Sequence, residues 1–101
     1  METTVLQSLA KKYGSPLYVY DAAKIISQYE RICNAFSGVA NLKVHFATKA
    51  LSNISVLKLF KSLDAGLDTV SIQEVLTGLK AGFAPQDIIY TPNGVSLEEI
   101  E

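Results

Sequence analysis

The amino-acid sequence predicts an α/β fold built from repeated strand–helix units with parallel strands. Three short apolar segments, rich in β-branched and aromatic residues, are each followed by a segment with helical spacing of its apolar residues. Only a few residues separate each strand from its helix, which is typical of βαβ units in an open doubly wound sheet or a closed (β/α)8 barrel. The loop after the first of these strands, residues 49–53 (KALSN), lacks the glycines that a dinucleotide-binding fold needs. We therefore predict the barrel.

Two helices precede the alternating part of the chain. Residues 4–13 have apolar side chains at helical spacing and are followed by Gly14, and residues 17–20 (LYVY) are predicted to form a short strand. Asp21 is the predicted N-cap of a second helix, whose apolar residues fall on one stripe and which ends near Ser37 and Gly38.

The remainder supplies three strand–helix units. The predicted strands are residues 42–48, 67–70 and 88–91, and the predicted helices are residues 54–63, 72–81 and a segment from Leu97 onward. Gly66 and Gly82 are predicted to be left-handed residues just past two of these helices. We divide the chain into residues 1–21, an N-terminal helix and strand, and residues 22–101, the first three units of an incomplete barrel. Because a closed barrel needs about 250 residues, we expect the rest of the barrel and a C-terminal β domain to lie outside this chain.

The composition argues against several classes of protein. The chain is 49% apolar with a net charge of −1, and its 9 basic residues are scattered among 10 acidic ones, without a basic run that could follow a nucleic-acid backbone. Residues 1–4 (METT) do not resemble a basic leader, and no apolar run approaches the about 20 residues of a membrane span. We therefore expect a cytoplasmic protein with no nucleic-acid or membrane partner. No cluster has the spacing of metal ligands, and the single cysteine, Cys33, is interpreted as a packed core thiol.

Lys49 is the residue with the clearest chemical potential. Alternation along the strand 42–48 would place Val44 and Phe46 outward against helices, and Ala47 and Lys49 inward. The carboxyl ends of barrel strands form the active-site face, and a partly desolvated amine there can act as a nucleophile. On pattern alone, a solvated surface lysine remains the alternative.

Three segments of the chain resemble one enzyme family. They are residues 13–21 (YGSPLYVYD), 45–53 (HFATKALSN) and 66–74 (GLDTVSIQE), in matching order and spacing. The family is that of the barrel-fold, alanine-racemase-like decarboxylases of amino acids that depend on pyridoxal phosphate. The first segment is similar to the diaminopimelate decarboxylase branch in particular.

This resemblance implies that Lys49 carries pyridoxal phosphate covalently. It also implies that the whole protein is an enzyme that decarboxylates meso-diaminopimelate to L-lysine, the last step of lysine biosynthesis, as a homodimer. We expect the present chain alone to be inactive, because the other cofactor-binding residues of the family lie later in the sequence. A decarboxylase of arginine, ornithine or carboxynorspermidine is an alternative, as is a barrel protein that carries the cofactor without decarboxylating anything.

The resemblance adds further candidate residues around Lys49. Asp68 matches a family aspartate that approaches the lysine, where a carboxylate could favour the ammonium form, although a solvated acid is an equal alternative. Ala47 is small enough for the cofactor ring to lie against the strand. Glu74 also matches a family acid, but with Ser71 it has the pattern of a capping box, which we prefer. His45 is interpreted as a hydrogen-bonded interior residue rather than a base.

Overall fold

The computed structural model describes all 101 residues, Met1–Glu101, as one parallel sheet with helices connecting its strands. The helices are α1 (Thr3–Tyr13), α2 (Ala22–Ala35), α3 (Ile54–Ser62), α4 (Ile72–Ala81) and α5 (Leu97–Ile100). The strands are β1 (His45–Ala47), β2 (Gly66–Thr69) and β3 (Ile88–Tyr90), and short 3₁₀ helices lie at Thr48–Ala50 and Pro85–Asp87. The predicted α/β class with parallel strand–helix units is confirmed.

The strands pair in the order β1-β2-β3, so each is joined to its neighbour by a crossover helix. Ala47 of β1 lies opposite Asp68 of β2, and Asp68 lies opposite Ile89 of β3. Because all three strands run in the same direction, their carboxyl ends meet at one edge of the sheet. This register determines which side chains can approach each other at that edge.

The core lies between the sheet and the helices α3 and α4. Its fully buried cluster consists of Leu57, Leu67, Ala81 and Phe83. Phe46 of β1 packs against this cluster, and its ring stacks on that of Phe60 with centroids 4.1 Å apart and planes inclined by 15°. The outward position predicted for Phe46 is therefore confirmed.

Side-chain caps explain where several helices begin. Asp21 accepts a hydrogen bond from the Lys24 amide at 3.2 Å at the start of α2, which confirms the predicted N-cap. Asn53 caps α3 by accepting from two amides of its first turn. Helix α4 has the predicted bounds and ends at Gly82, whose φ of 96° is left-handed, as predicted.

Two predicted strands differ from the structure. Residues 17–20 form no strand, because their backbone has no hydrogen-bonded neighbour, and three of the four side chains are exposed. Strand β1 covers His45–Ala47 rather than residues 42–48, since the chain enters the 3₁₀ helix at Thr48. Strands β2 and β3 are close to their predicted ranges.

Gly66 was predicted to end a helix, and that prediction is wrong. The left-handed residue after α3 is Asp64, with φ 60°, whereas Gly66 is the first residue of β2. The ring of His45 lies over Gly66 so closely that a β-carbon there would overlap it, and the same β-carbon would lie 2.9 Å from the Asp87 carbonyl oxygen. Gly66 is needed for this close approach between strands.

Much apolar surface remains open. Only 10 of the 101 residues are buried, and the radius of gyration is 16.3 Å, against about 13 Å for a compact domain of this size. Helix α2 has no buried residue, and Cys33 is only partly covered beside Tyr29, so it is not the core thiol that was predicted. None of the helices has both the length and the apolar character required to cross a membrane. The division into residues 1–21 and 22–101 stays a prediction.

An ion-pair cluster joins the amino-terminal ends of the strands. Lys43 Nζ, two residues before β1, lies 3.1 Å from Asp64 Oδ1 and 3.3 Å from Asp87 Oδ1, and these acids precede β2 and β3. The hydrogen bond to Asp64 raises the pKa of Lys43 above its ordinary value of 10.5; Asp87 adds to this effect, while burial opposes it.

Replacing Gly66 by alanine should destabilise the intact protein by about 1–3 kcal/mol, because the new methyl group overlaps the His45 ring and meets fixed backbone. Urea unfolding of the two proteins measures this difference. Gly38→Ala is the matched control, since a β-carbon there meets nothing within 4 Å, and it should change stability by less than about 0.5 kcal/mol. Equal effects of the two substitutions would contradict the packing argument.

Lys43→Met should lower stability at neutral pH through the loss of both ion pairs. Because the folded-state pKa of Lys43 is raised, its contribution is fully present below pH 10.5 and disappears as the pH rises through the raised value. The stability difference between wild type and variant, measured by urea unfolding from pH 7 upward, should therefore shrink above pH 10.5. Lys58→Met, at a residue with no ion pair, is the matched control, and at neutral pH it should change stability by less than about 0.5 kcal/mol.

Candidate functional site

Lys49 lies at the carboxyl-terminal edge of the sheet, in a turn rather than in a strand. It is the middle residue of the 3₁₀ helix Thr48–Ala50, which is closed by a hydrogen bond from the Leu51 amide to the Thr48 carbonyl at 3.0 Å. Its side chain is exposed and makes neither an ion pair nor a hydrogen bond within the chain. The amine is thus available for chemistry at this edge.

Asp68 and Ala47 lie side by side next to this turn. They are register partners on β2 and β1, and both are half-buried. One carboxylate oxygen of Asp68, Oδ1, accepts a hydrogen bond from the Thr91 hydroxyl at 2.7 Å. This bond fixes the carboxylate between the ends of β2 and β3, so Asp68 is an oriented acid rather than a freely solvated one.

Glu74 reaches the same edge from the first turn of α4. Ser71 accepts a hydrogen bond from the Glu74 amide at 3.3 Å, which is one half of the predicted capping box. The other half is absent, because Glu74 Oε2 accepts instead from the Val70 amide and from the Thr48 hydroxyl, each at 2.7 Å. The predicted capping box is therefore confirmed for Ser71, which caps the helix, and wrong for the carboxylate of Glu74, which has other donors.

His45 lies one layer below Ala47 on the same face of the sheet. Its ring covers Gly66, and it makes no hydrogen bond within the chain. The prediction of a hydrogen-bonded interior histidine is thus wrong in its bonding, because the ring of His45 packs on Gly66 without a hydrogen-bond partner. The ring acts as packing under the site.

Sequence reasoning overlooked the two threonines of this edge. Neither Thr48, which is 1% exposed, nor Thr91 was given a role from the sequence, yet both hydroxyls bind acids of the site. Alternation along β3 places Ile89 and Thr91 on the face that Asp68 occupies, and this spacing was the available signal for Thr91. Nothing in the local sequence indicates that Thr48 meets Glu74.

The largest cavity lies beside this edge: Ala47 and Ala50 are among its lining residues, whereas Lys49 is not. It has a volume of about 430 Å³ and lies between α2 and the free edge of β1, with mainly apolar residues such as Ile25, Tyr29 and Phe60 around it. Because β1 pairs with β2 on one side only, this groove is an open packing edge of the sheet.

The groups at the edge fit one end of an aldehyde cofactor. They provide a primary amine without a competing ion pair, an oriented carboxylate on the next strand, and a small side chain at Ala47 against which a flat ring can lie. Such a set can form a covalent bond to an aldehyde carbon and hold a proton nearby.

Comparison with known proteins defines the class of this domain. Residues 22–101 match the family model described as "Pyridoxal-dependent decarboxylase, pyridoxal binding domain". The fold and this match together define a pyridoxal-binding domain. The chain belongs to the pyridoxal-dependent decarboxylase family.

Relatives and solved structures agree with this assignment. The chain is 42% identical over 94 residues to a diaminopimelate decarboxylase of Methanothermobacter thermautotrophicus, a match that covers 92% of this chain and 22% of that relative. A diaminopimelate decarboxylase of Pseudomonas fluorescens is 37% identical over 99 residues, covering 98% and 24% of the two chains. The chain thus spans about a quarter of the length of these relatives.

The solved structures show the same fold. Diaminopimelate decarboxylase of Helicobacter pylori, complexed with L-lysine, superimposes with a TM-score of 0.85 at 37% identity, covering 94% of this chain and 24% of that one. The enzyme of M. jannaschii gives a TM-score of 0.86 at 31% identity, covering 92% and 23%. The prediction of a barrel segment rather than an open doubly wound sheet is confirmed.

Thr91→Val should remove the hydrogen bond that orients the Asp68 carboxylate while keeping the size of the side chain. We expect a loss of about 1 kcal/mol in the free energy of unfolding, the usual scale for one such bond. Thr91→Ser retains the hydroxyl and should lose clearly less. If urea unfolding gives the same loss for both variants, the hydrogen bond to Asp68 does not account for the loss in Thr91→Val.

Proposed function

We propose that the whole protein is a pyridoxal-phosphate-dependent decarboxylase that converts meso-diaminopimelate to L-lysine, and that this chain provides the covalent anchor of the cofactor. The observation that carries the proposal is the likeness to diaminopimelate decarboxylases, which extends over nearly all of this chain. The edge described above supports it, because an unpaired lysine follows the first strand there.

Lys49 Nζ would be the point of attachment. When bound, pyridoxal phosphate supplies an electron sink that accepts the electron pair of a bond broken at the α-carbon of an amino acid. The chain's contribution is to present a single amine at a fixed place on the edge and to leave that amine without an ion pair. The exposed side chain can also carry a proton to or from a group above the edge.

Asp68 would stabilise positive charge at this edge. The Thr91 hydroxyl donates a hydrogen bond to the Asp68 carboxylate, and this bond restricts rotation of the Asp68 side chain. A fixed negative charge near an amine favours the ammonium form and can direct the movement of a proton. Ala47, its partner in the register, would leave room for a flat ring, because a larger side chain there would project over the same surface.

The substrate assignment rests on the relatives. A Helicobacter pylori diaminopimelate decarboxylase was solved as a complex with L-lysine. L-Lysine is what remains when one carboxyl group of meso-diaminopimelate is removed as carbon dioxide. The homodimer, the cytoplasmic location and the inactivity of residues 1–101 alone stay predictions.

Borohydride reduction of the intact protein with pyridoxal phosphate, followed by peptide mapping, should place the stable label on Lys49. The reduction converts the attachment into a bond that survives digestion, so the labelled residue is read directly. Lys49→Arg keeps the positive charge but cannot form the attachment, and it should give no label. Lys58→Arg, at another exposed lysine, should label as wild type does. A label on any other residue would contradict the proposal.

The substrate is tested by carbon dioxide release. Intact protein should release it from meso-diaminopimelate and far more slowly from arginine, ornithine or carboxynorspermidine. Faster release from one of these three compounds would assign a different substrate but would not affect the proposal that Lys49 binds the cofactor. Labelling at Lys49 with no release from any of the four would indicate a cofactor-carrying protein that is not a decarboxylase.

A further inference from the structure

Glu74 connects three separate elements of the site edge. Its oxygen Oε2 accepts the Val70 amide, which follows β2, and the Thr48 hydroxyl, which follows β1, and both distances are 2.7 Å. Glu74 itself belongs to the first turn of α4. Both distances are within the range of good hydrogen bonds, so a single acceptor oxygen joins these elements directly.

Thr48 is held from two sides. The residue is 1% exposed, and its hydroxyl lies 3.1 Å from the Asp68 carbonyl oxygen in addition to the shorter contact with Glu74. Its own carbonyl accepts the Leu51 amide and so closes the 3₁₀ turn. Because the hydroxyl has a single proton, the shorter bond to the carboxylate is the stronger of the two. Both the side chain and the carbonyl of Thr48 are therefore fixed.

The residue next to Thr48 is Lys49. The hydrogen bond of the turn holds the Thr48 carbonyl, and the hydrogen bond of the Thr48 side chain holds its Cα. The peptide group that leads to Lys49 begins at these two points. The direction in which the lysine leaves the edge is thus determined by Thr48. Misplacing a reacting group by about 1 Å can cost on the order of a hundredfold in rate.

We propose that Glu74 is a positioning residue, which holds the Thr48 hydroxyl and thereby fixes the turn that carries Lys49. This rests on the proposed role of Lys49 as the cofactor anchor. Glu74 acts through its acceptor oxygen and not through a proton or its net charge, since Oε2 already faces two donors. The geometry therefore assigns it a role different from that of Asp68, whose carboxylate lies on the strand itself.

Four substitutions in the intact protein separate the effect of the Glu74 acceptor oxygen from that of its charge, and the effect of the Thr48 hydroxyl from that of its size. Glu74→Gln keeps an oxygen that can accept both bonds but removes the charge, whereas Glu74→Ala removes the acceptor. Thr48→Val removes the hydroxyl at nearly constant size and leaves Glu74 intact, and Thr48→Ser keeps the hydroxyl. If Glu74→Ala does not fold, Thr48→Val and Glu74→Gln still decide the question.

Two measurements are made on each variant. The first is hydrogen exchange of the peptide that contains residues 48–51, before cofactor is added, which reports the order of the turn independently of activity. Exchange should be faster in Glu74→Ala and Thr48→Val and unchanged in Glu74→Gln and Thr48→Ser. The second is kcat for decarboxylation, which should fall by about ten- to a hundredfold in the first pair and by less than about threefold in the second.

Ser71→Ala provides the matched structural control. It removes the other side-chain cap of the same helix without touching Thr48. It should lower the stability of α4 but leave both the exchange of residues 48–51 and kcat unchanged. The double variant Thr48→Val/Glu74→Ala should be no worse than the poorer single variant, because both changes break one connection.

Three results would overturn the proposal. A loss of kcat in Glu74→Gln equal to that in Glu74→Ala would mean that the charge is what matters. Unchanged exchange in Thr48→Val would mean that the hydroxyl does not hold the turn. Losses in Ser71→Ala that match those in Glu74→Ala would mean a general weakening of the helix. A borohydride label away from Lys49 would contradict the proposed function instead, and the exchange results would still test the contact between Glu74 and Thr48.

Discussion

Parallel pairing of the strands is the constraint on which the rest of this structure depends. It brings the carboxyl ends of β1, β2 and β3 to one edge and aligns Ala47 with Asp68. A shift of one residue in this register would turn Asp68 toward the apolar core and Leu67 toward the site, because successive side chains of a strand face opposite ways. Leu67 is completely buried among Leu57, Ala81 and Phe83, so the core itself holds Asp68 at the site. The free energy of apolar burial on one face thus determines the geometry of the polar groups on the other.

The two ends of the sheet use charged groups for different purposes. At the amino-terminal end, Lys43 lies between two acids, Asp64 and Asp87, and the charges balance one another. At the carboxyl-terminal end, Lys49 has no ionic partner, while the acids there bind hydroxyl and amide groups instead. A lysine engaged in ion pairs is a poor nucleophile, because its partners favour the protonated form. The paired state of Lys43 agrees with a role in stability, whereas Lys49 has no ion pair within the chain.

Sequence patterns predicted the helices better than the edges of the strands, for a physical reason. Helix α4 has the predicted bounds because its signals are local: Ser71 caps its first turn and Gly82 adopts the left-handed conformation after its last. A strand depends on its partner, which local sequence does not reveal. Residues 17–20 have strand-forming side chains but no neighbouring strand. The prediction for Gly66 was wrong because the residue that excludes a β-carbon there, His45, lies 21 positions earlier in the sequence. The same difference between local signals and distant contacts applies to the site. The position of Lys49 after the first strand could be predicted, whereas the contact between Thr48 and Glu74 could not.

The two most deeply buried polar side chains show how this edge is held together. Thr48 follows β1 and Thr69 ends β2, and both are almost completely buried. Each hydroxyl reaches the next strand along, Thr48 to the Asp68 carbonyl at 3.1 Å and Thr69 to the Ile89 carbonyl at 2.9 Å. Because these positions are equivalent in the register, the same threonine contact joins successive strands at the site edge. Only Thr48 has an additional acceptor, the carboxylate of Glu74, and only Thr48 is followed directly by a lysine. The additional contact is not a general requirement for closing the edge, since Thr69 does without it; it occurs at the strand end that is followed directly by Lys49.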